Sequence, residues 1–141
     1  MAGHESEPSA WLEVDQARVN LFADATGDHQ FIHIDPEKAA QTPLGSTVAH
    51  GFLTLSLLPM LAQEVALTPE GLLMAFNYGV DKVRFPSPVK VGSEVRLRSQ
   101  VLEVTEKGLG RILVRSQATV EIRGEEKPGL VAETLTMYIV G

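Results

Sequence analysis

An α+β fold, in which a curved antiparallel sheet wraps one buried helix, is predicted by three observations. From Gly51 to about Val65, the residues Phe52, Leu53, Leu55, Leu57, Leu58, Met60, Leu61 and Val65 cover more than one face of a helix. A helix apolar nearly all round is one that the rest of the chain must bury. After Thr68, Pro69 and Gly71 the period changes, and apolar residues alternate along several long stretches to the C-terminus. The order of these parts, one helix and then a run of strands, places the helix against one face of the sheet.

Residues 1–10 are polar, and a flexible N-terminus is expected there, followed by a single domain over residues 11–141. Trp11 to Val14 reads as a short strand or lead-in. Asp15 is placed to cap a helix that runs to about Ala25 and stops at Gly27. Asp28 to Pro36 reads as irregular, and Asp35 is placed to cap a short helix opened by Pro36. Gln41 to Val48 reads as a loop. Pro59 should bend the apolar helix or remove one of its internal bonds. Strands are expected over Leu72–Tyr78, Val80–Phe85, Glu94–Glu103, Arg111–Arg123 and about Val131–Val140, with turns at Ser87–Gly92 and at Gly108 and Gly110. In the third strand Val95, Leu97, Ser99 and Val101 share a face. Ile112, Val114, Ser116, Ala118, Val120 and Ile122 do so in the fourth, and Leu135, Met137 and Ile139 in the last. A long exposed strand edge would need protection, and edge-to-edge joining of two sheets in a dimer provides it.

A chain of 141 residues forms one domain with a sizeable core. With 12 Lys and Arg against 18 Asp and Glu, its net charge of −6 weakens any case for a nucleic-acid partner. The absence of cysteine excludes disulfides, thiolate nucleophiles and sulfur-ligated metal sites. No secretory signal is visible in MAGHESEPSA, and the apolar stretch Gly51–Gln63 is too short to span a bilayer. A cytoplasmic protein that does not enter a membrane is therefore expected.

The residues able to do chemistry are concentrated between Asp28 and Gly51. Asp28 and His33 stand five positions apart in a segment without hydrophobic rhythm, and a carboxylate beside an imidazole can polarise water and move a proton. The plainer account is that Asp28 caps a turn after Gly27 and His33 serves a backbone carbonyl. His29, His33, Asp35 and His50 are a conceivable zinc set, but the segment lacks the Glu of HExxH, and no metal is expected. Ala49, His50 and Gly51 lie at the start of the apolar helix, whose first N–H groups are free to meet a developing oxyanion. The plainer account of His50 is a packed histidine donating to a carbonyl, and of Gly51 a simple helix start. Asn77 interrupts an apolar strand, either to orient a polar group or as a satisfied amide. Lys82, Arg84, Arg96 and Arg98 offer positive charge for a phosphate-bearing ligand, although Arg96 and Arg98 fit an ordinary solvated sheet face. Neither a glycine-rich phosphate loop nor a GxSxG elbow is present.

The segment FADATGDHQFIHIDPEKA, from Phe22 to Ala39, resembles the signature of the MaoC-like family of (R)-specific enoyl-CoA hydratases and dehydratases. Gly45-Ser-Thr-Val-Ala-His-Gly51 running into Phe52–Pro59 is similar to the segment that precedes and forms that family's central helix. Phe76-Asn-Tyr-Gly79 and Lys82–Val89 fit its following strands. The resemblance extends from about residue 12 onward and lies nearest a single-domain bacterial branch that includes nodulation-protein-N-like members. It implies a hot-dog fold, a homodimer with a continuous sheet, and no cofactor. Asp28 and His33 match the family's catalytic pair, and Gly51 its thioester-binding backbone N–H. Many members carry Asn-Pro where this chain has Gln30-Phe31, so the local loop and the acyl-pocket lining rest on Phe31, which lacks proline's fixed φ.

The activity implied is syn addition of water to a trans-2-enoyl-CoA, giving (R)-3-hydroxyacyl-CoA, and the reverse dehydration. Substrate contacts are expected from Phe31, Ala49, His50, Asn77, Lys82 and Arg84. The alternatives are an acyl-CoA thioesterase, a dehydratase acting on acyl carrier protein substrates, and a subunit of a heteromeric dehydratase complex.

Overall fold

In the computed structural model, which describes residues 2–141, a short strand β1 (Leu12–Glu13) leads into helix α1 (Gln16–Thr26). The Asp15 carboxylate accepts a hydrogen bond from Arg18 N at 2.8 Å. At the other end Gly27 takes the left-handed conformation, with φ of 82°, and its N–H closes on Ala23 O at 2.8 Å. Both ends of the helix therefore follow from the residues that the sequence puts there. Two single-turn helices come next, α2 (Phe31–Ile34) and α3 (Pro36–Ala40). Asp35 caps α3 by accepting from Lys38 N at 3.1 Å. The sequence reads α2 as irregular because one turn has no period, and Gln30 makes no side-chain cap to announce it.

The apolar helix is divided into α4 (Gly51–Ser56) and α5 (Leu58–Ala62), joined through Leu57. Leu57 N bonds Leu53 O and Leu61 N bonds Leu57 O, both at 3.0 Å, so the helical path continues across the joint. Pro59 has no N–H to return to Leu55, which accounts for the interruption. Leu53, Thr54, Leu57, Leu58 and Leu61 are buried on one side, whereas Phe52 and Met60 are exposed on the other. The expected burial all round is thus not met within one chain: the sheet covers a single side of the helix.

The sheet has strand order β1-β3-β4-β5-β2, antiparallel throughout, with β2 (Leu72–Arg84), β3 (Glu94–Glu106), β4 (Arg111–Ile122) and β5 (Leu130–Val140). The two strands expected over 72–85 are one strand, with register shifts at three places along it. Register aligns Leu97 with Val120, and Val120 with Leu130. Ser99, Ala118 and Ala132 form the next row. Leu97, Ala118, Val120, Leu130 and Ala132, with Val95, Ile122 and Val89, pack against Leu53, Leu57, Leu58 and Leu61 as the core. Leu135, Met137 and Ile139 do share a face, but they alternate with Leu130 and Ala132 and so lie on the side away from the helix.

The polar N-terminal segment runs alongside β3. Gly3 N bonds Val101 O, Ser6 N bonds Ser99 O, and Ser9 N bonds Leu97 O along β3 at 2.6, 2.9 and 3.0 Å. Ser9 Oγ also accepts from Leu97 N at 2.8 Å. Hydrophilic side chains do not prevent this, because the pairing uses backbone groups. The segment and β1 together cover the outer edge of β3. Among the described residues strand β2 pairs only with β5, and its other edge is bare. Among the described residues no helix is long and apolar enough to cross a membrane.

Candidate functional site

The turn at Gly27 reverses the chain so that Asp28 lies exposed beyond the end of α1, and α2 then carries His33 inward to a buried position. His33 is held from several directions. Its Nδ1 lies 2.7 Å from Val48 O, and Val48 N returns a bond to Ile32 O at 2.9 Å. Gln16 Nε2 donates to His33 O at 2.7 Å, and Gln16 Oε1 accepts from Thr47 Oγ1 at 2.6 Å. Residues 47–49 are in turn tied to the segment after β2, through Ala49 N to Val89 O at 2.7 Å and Val91 N to Thr47 O at 2.9 Å. Nothing in the sequence near Gln16 marks this bridging role, because its partners are 17 and 31 positions away.

His50 occupies the cap position of α4 but makes no side-chain cap bond. Its ring stacks on that of His33 with centroids 3.8 Å apart and planes 21° from parallel, and Phe22 packs on it at 4.8 Å. His50 Nε2 lies 3.0 Å from the backbone oxygen of Asp28. Donor atoms of Asp28, His33 and His50 all fall within 4.8 Å of one another.

The carbonyl partners assign the tautomers. A carbonyl oxygen only accepts, so His33 carries its proton on Nδ1 and His50 carries its proton on Nε2. In its neutral form His33 then presents Nε2 as a lone pair, within the cluster that includes the Asp28 carboxylate. The same assignment bears on metal binding. Two nearly parallel rings direct their lone pairs along separate planes instead of converging on one ion. The conceivable set of His29, His33, Asp35 and His50 is not assembled. His29 Nε2 pairs with Asp24 at 2.9 Å, a hydrogen bond that raises its pKa, and Asp35 caps α3.

Gly51 opens α4 next to His50, and Phe85 closes over it. A Cβ at Gly51 would lie 3.1 Å from three atoms of the Phe85 ring, which itself meets Phe52 edge-on at 6.1 Å. The missing side chain thus gives Phe85 its place at the helix start. Ala49 is buried, and Phe31 is half-buried with the Lys38 ammonium 4.5 Å above its ring. Asn77, Lys82 and Arg84 lie on β2 and make no hydrogen bond to the Asp28–His33–His50 cluster among the described residues. Asn77 is exposed opposite Thr136, Lys82 Nζ lies 3.2 Å from Glu133, and Arg84 donates to its neighbour Val83 O at 2.8 Å. Arg96 and Arg98 share Glu121, at 2.7 and 3.2 Å, as sheet-face ion pairs.

The model of the MaoC-like domain matches residues 1–122. The 3-hydroxyacyl-thioester dehydratase Z of Mycobacterium tuberculosis (strain ATCC 25618 / H37Rv) is 50% identical over 138 residues, covering 98% of this chain and 91% of the relative. Nodulation protein N of Rhizobium leguminosarum bv. viciae is 47% identical over 136 residues, covering 96% of this chain and 84% of the relative. Among solved structures, the unliganded R-hydratase PhaJ1 from Pseudomonas aeruginosa superposes with a TM-score of 0.79 at 25% identity, over 100% of this chain and 83% of that one. The curled sheet around a helix is the hot-dog fold. With that fold and these relatives, the chain is an enzyme of the hydratase and dehydratase type and belongs to the MaoC-like dehydratase family.

Proposed function

We propose that this enzyme adds water to trans-2-enoyl-CoA thioesters, giving (R)-3-hydroxyacyl-CoA, and catalyses the reverse dehydration with the same groups. The observation that carries the reading is the 2.7 Å bond from His33 to Val48 O, which leaves the neutral imidazole with an acceptor nitrogen beside a carboxylate. Two acceptors side by side suit one water molecule. Its two hydrogens point to Asp28 and to His33 Nε2, and its oxygen lone pair is left for C3.

As the C3–O bond forms, Asp28 takes one of the water's protons and the electron pair of the double bond moves towards the thioester carbonyl. The Gly51 N–H donates to that oxygen and stabilises the enolate-like charge. His33 orients the water. The proton taken by Asp28 passes to the free Nε2 of His33 and from there to C2, which returns both groups to their starting state. One hydrogen of the water thus remains on the new hydroxyl and the other reaches C2. Delivery from the side of attack is syn addition. Phe31 and Ala49 are proposed to line the acyl path, with Asn77 orienting polar substrate groups. Lys82 and Arg84 are the cations proposed for the phosphates of CoA. Lys82 is already engaged by Glu133, which favours Arg84.

The functional unit we propose is a homodimer joined along β2. Its outer edge is unpaired, and Leu73, Met74, Phe76, Tyr78 and Val80 are all exposed on it. A long apolar edge of this kind is a pairing surface.

Incubation with trans-2-enoyl-CoA of short and medium chain length, with the product resolved by chiral chromatography, tests the reaction. The expected product is (R)-3-hydroxyacyl-CoA. Free CoA without hydrated product would replace the reading with a thioesterase. No turnover on any CoA thioester would remove the stand-alone CoA hydratase, and carrier-protein substrates or a second subunit would then be tried.

A further inference from the structure

We propose that His50 is a positioning residue for the Asp28–His33 pair, tethering the loop that bears the carboxylate while backing the imidazole. The inference rests on the hydratase reading above. His50 is 3% exposed and stands at a helix cap position, yet its side chain does no capping. Its ring is given over to the two candidate groups, with Nε2–H donating to Asp28 O at 3.0 Å and the ring face 3.8 Å from His33. Its remaining nitrogen, Nδ1, is buried with no hydrogen-bond partner among the described residues.

That orphan nitrogen separates positioning from packing. A buried acceptor without a partner destabilises a fold. Phenylalanine would pack between Phe22 and His33 without that orphan. What phenylalanine lacks is the donor to Asp28. Asp28 is exposed, and among the described residues its carboxylate accepts a hydrogen bond from Gln30 N alone, at 3.3 Å. The His50 bond therefore ties Asp28 to the buried frame, beside the His33 N bond to Gln30 O at 3.0 Å and the His29–Asp24 pair at 2.9 Å. A displacement of about 1 Å at a reacting group costs on the order of 10²-fold in rate.

Wild type, His50→Phe and His50→Gln are to be compared for kcat and KM on trans-2-enoyl-CoA, for Tm, and for amide hydrogen exchange over residues 27–30. Expected for His50→Phe is a Tm close to wild type, since the lost bond to Asp28 O offsets the removed orphan nitrogen, with a kcat lower by roughly 10- to 100-fold, an unchanged KM, and faster exchange in the loop. His50→Gln keeps an N–H donor at similar reach and should recover part of the kcat and of the exchange protection. Wild-type kcat in the phenylalanine variant would overturn the inference. So would a fall in Tm that parallels the loss of kcat in both variants. If wild type itself turns over no enoyl thioester, the hydratase reading fails, and unchanged loop exchange in His50→Phe would independently overturn the tether.

Discussion

Asp28 and His33 are placed by opposite means, and their substitutions should separate accordingly. Asp28 is exposed and its carboxylate makes one long bond to Gln30 N, which an asparagine oxygen could also accept. Asp28→Asn is expected to lower kcat by roughly 10²- to 10⁴-fold while leaving the urea midpoint unchanged. His33 is buried on the Val48 carbonyl. His33→Ala should lose activity comparably and also about 1–3 kcal/mol of stability, the penalty for stranding a buried acceptor. Steady-state kinetics and urea denaturation on the same preparations check both statements. The five-residue spacing of the pair can be read in the sequence, whereas Gly51 is singled out there only through the family resemblance. The stacking of His50 on His33 was not, because it depends on a ring-to-ring approach between residues 17 positions apart. Nor could spacing tell that His29, beside Asp28 in the chain, would turn away to Asp24.

At the scale of elements, α4 and α5 hold the site by anchoring Gly51 against the sheet. Leu57, 5% exposed, sits at the joint between them and packs into the core. Leu57→Ala should cost about 2–5 kcal/mol, read as a shift in the urea midpoint at constant m-value. The β3–β4 pair carries a pH-dependent contribution on its outer face. Glu121 has a lowered pKa, chiefly because it accepts a hydrogen bond from Arg96 at 2.7 Å, with help from the charge of Arg98. A carboxylate whose pKa is lower in the folded state stabilises the fold above its unfolded pKa, and that contribution disappears as pH falls through the folded value. The urea midpoints of wild type and Glu121→Gln should therefore differ at neutral pH and converge in acid. A difference that persisted in acid would assign the effect to packing. The caps of α1 and α3 were readable because Asp15, Gly27, Asp35 and Pro36 act on their own neighbours. Helix α2 escaped because a single turn leaves no period.

For the whole molecule, the two sheet edges differ. The N-terminal segment and β1 cover one, while β2 leaves the other bare and apolar. The open side of the helix, with Phe52 and Met60 exposed, adds further apolar surface left uncovered by a single chain. Light scattering on a sizing column should give a dimer mass. Phe76→Lys, at a position 51% exposed in the single chain, should shift the protein towards monomer and lower its activity together with its mass. A Phe76→Lys protein that stayed dimeric would place the interface elsewhere.

Through a family resemblance the sequence marked Asp28, His33 and Gly51 as candidates, and by itself it determined the class of fold, the caps of α1 and α3 and the alternation of the long strands. These depend on local chemistry or on a period, and both can be read along a chain. Only the tertiary structure decided that β2 is a single strand at the sheet's edge, that the N-terminal segment runs along β3, and that one side of the helix stays open. It alone assigned the proton on His33, through the Val48 carbonyl, and the contact of His50 with both members of the pair. The physical reason is common to all of these. They are set by backbone groups and buried rings brought together from distant parts of the chain, where side-chain identity leaves the pairing open until the fold closes.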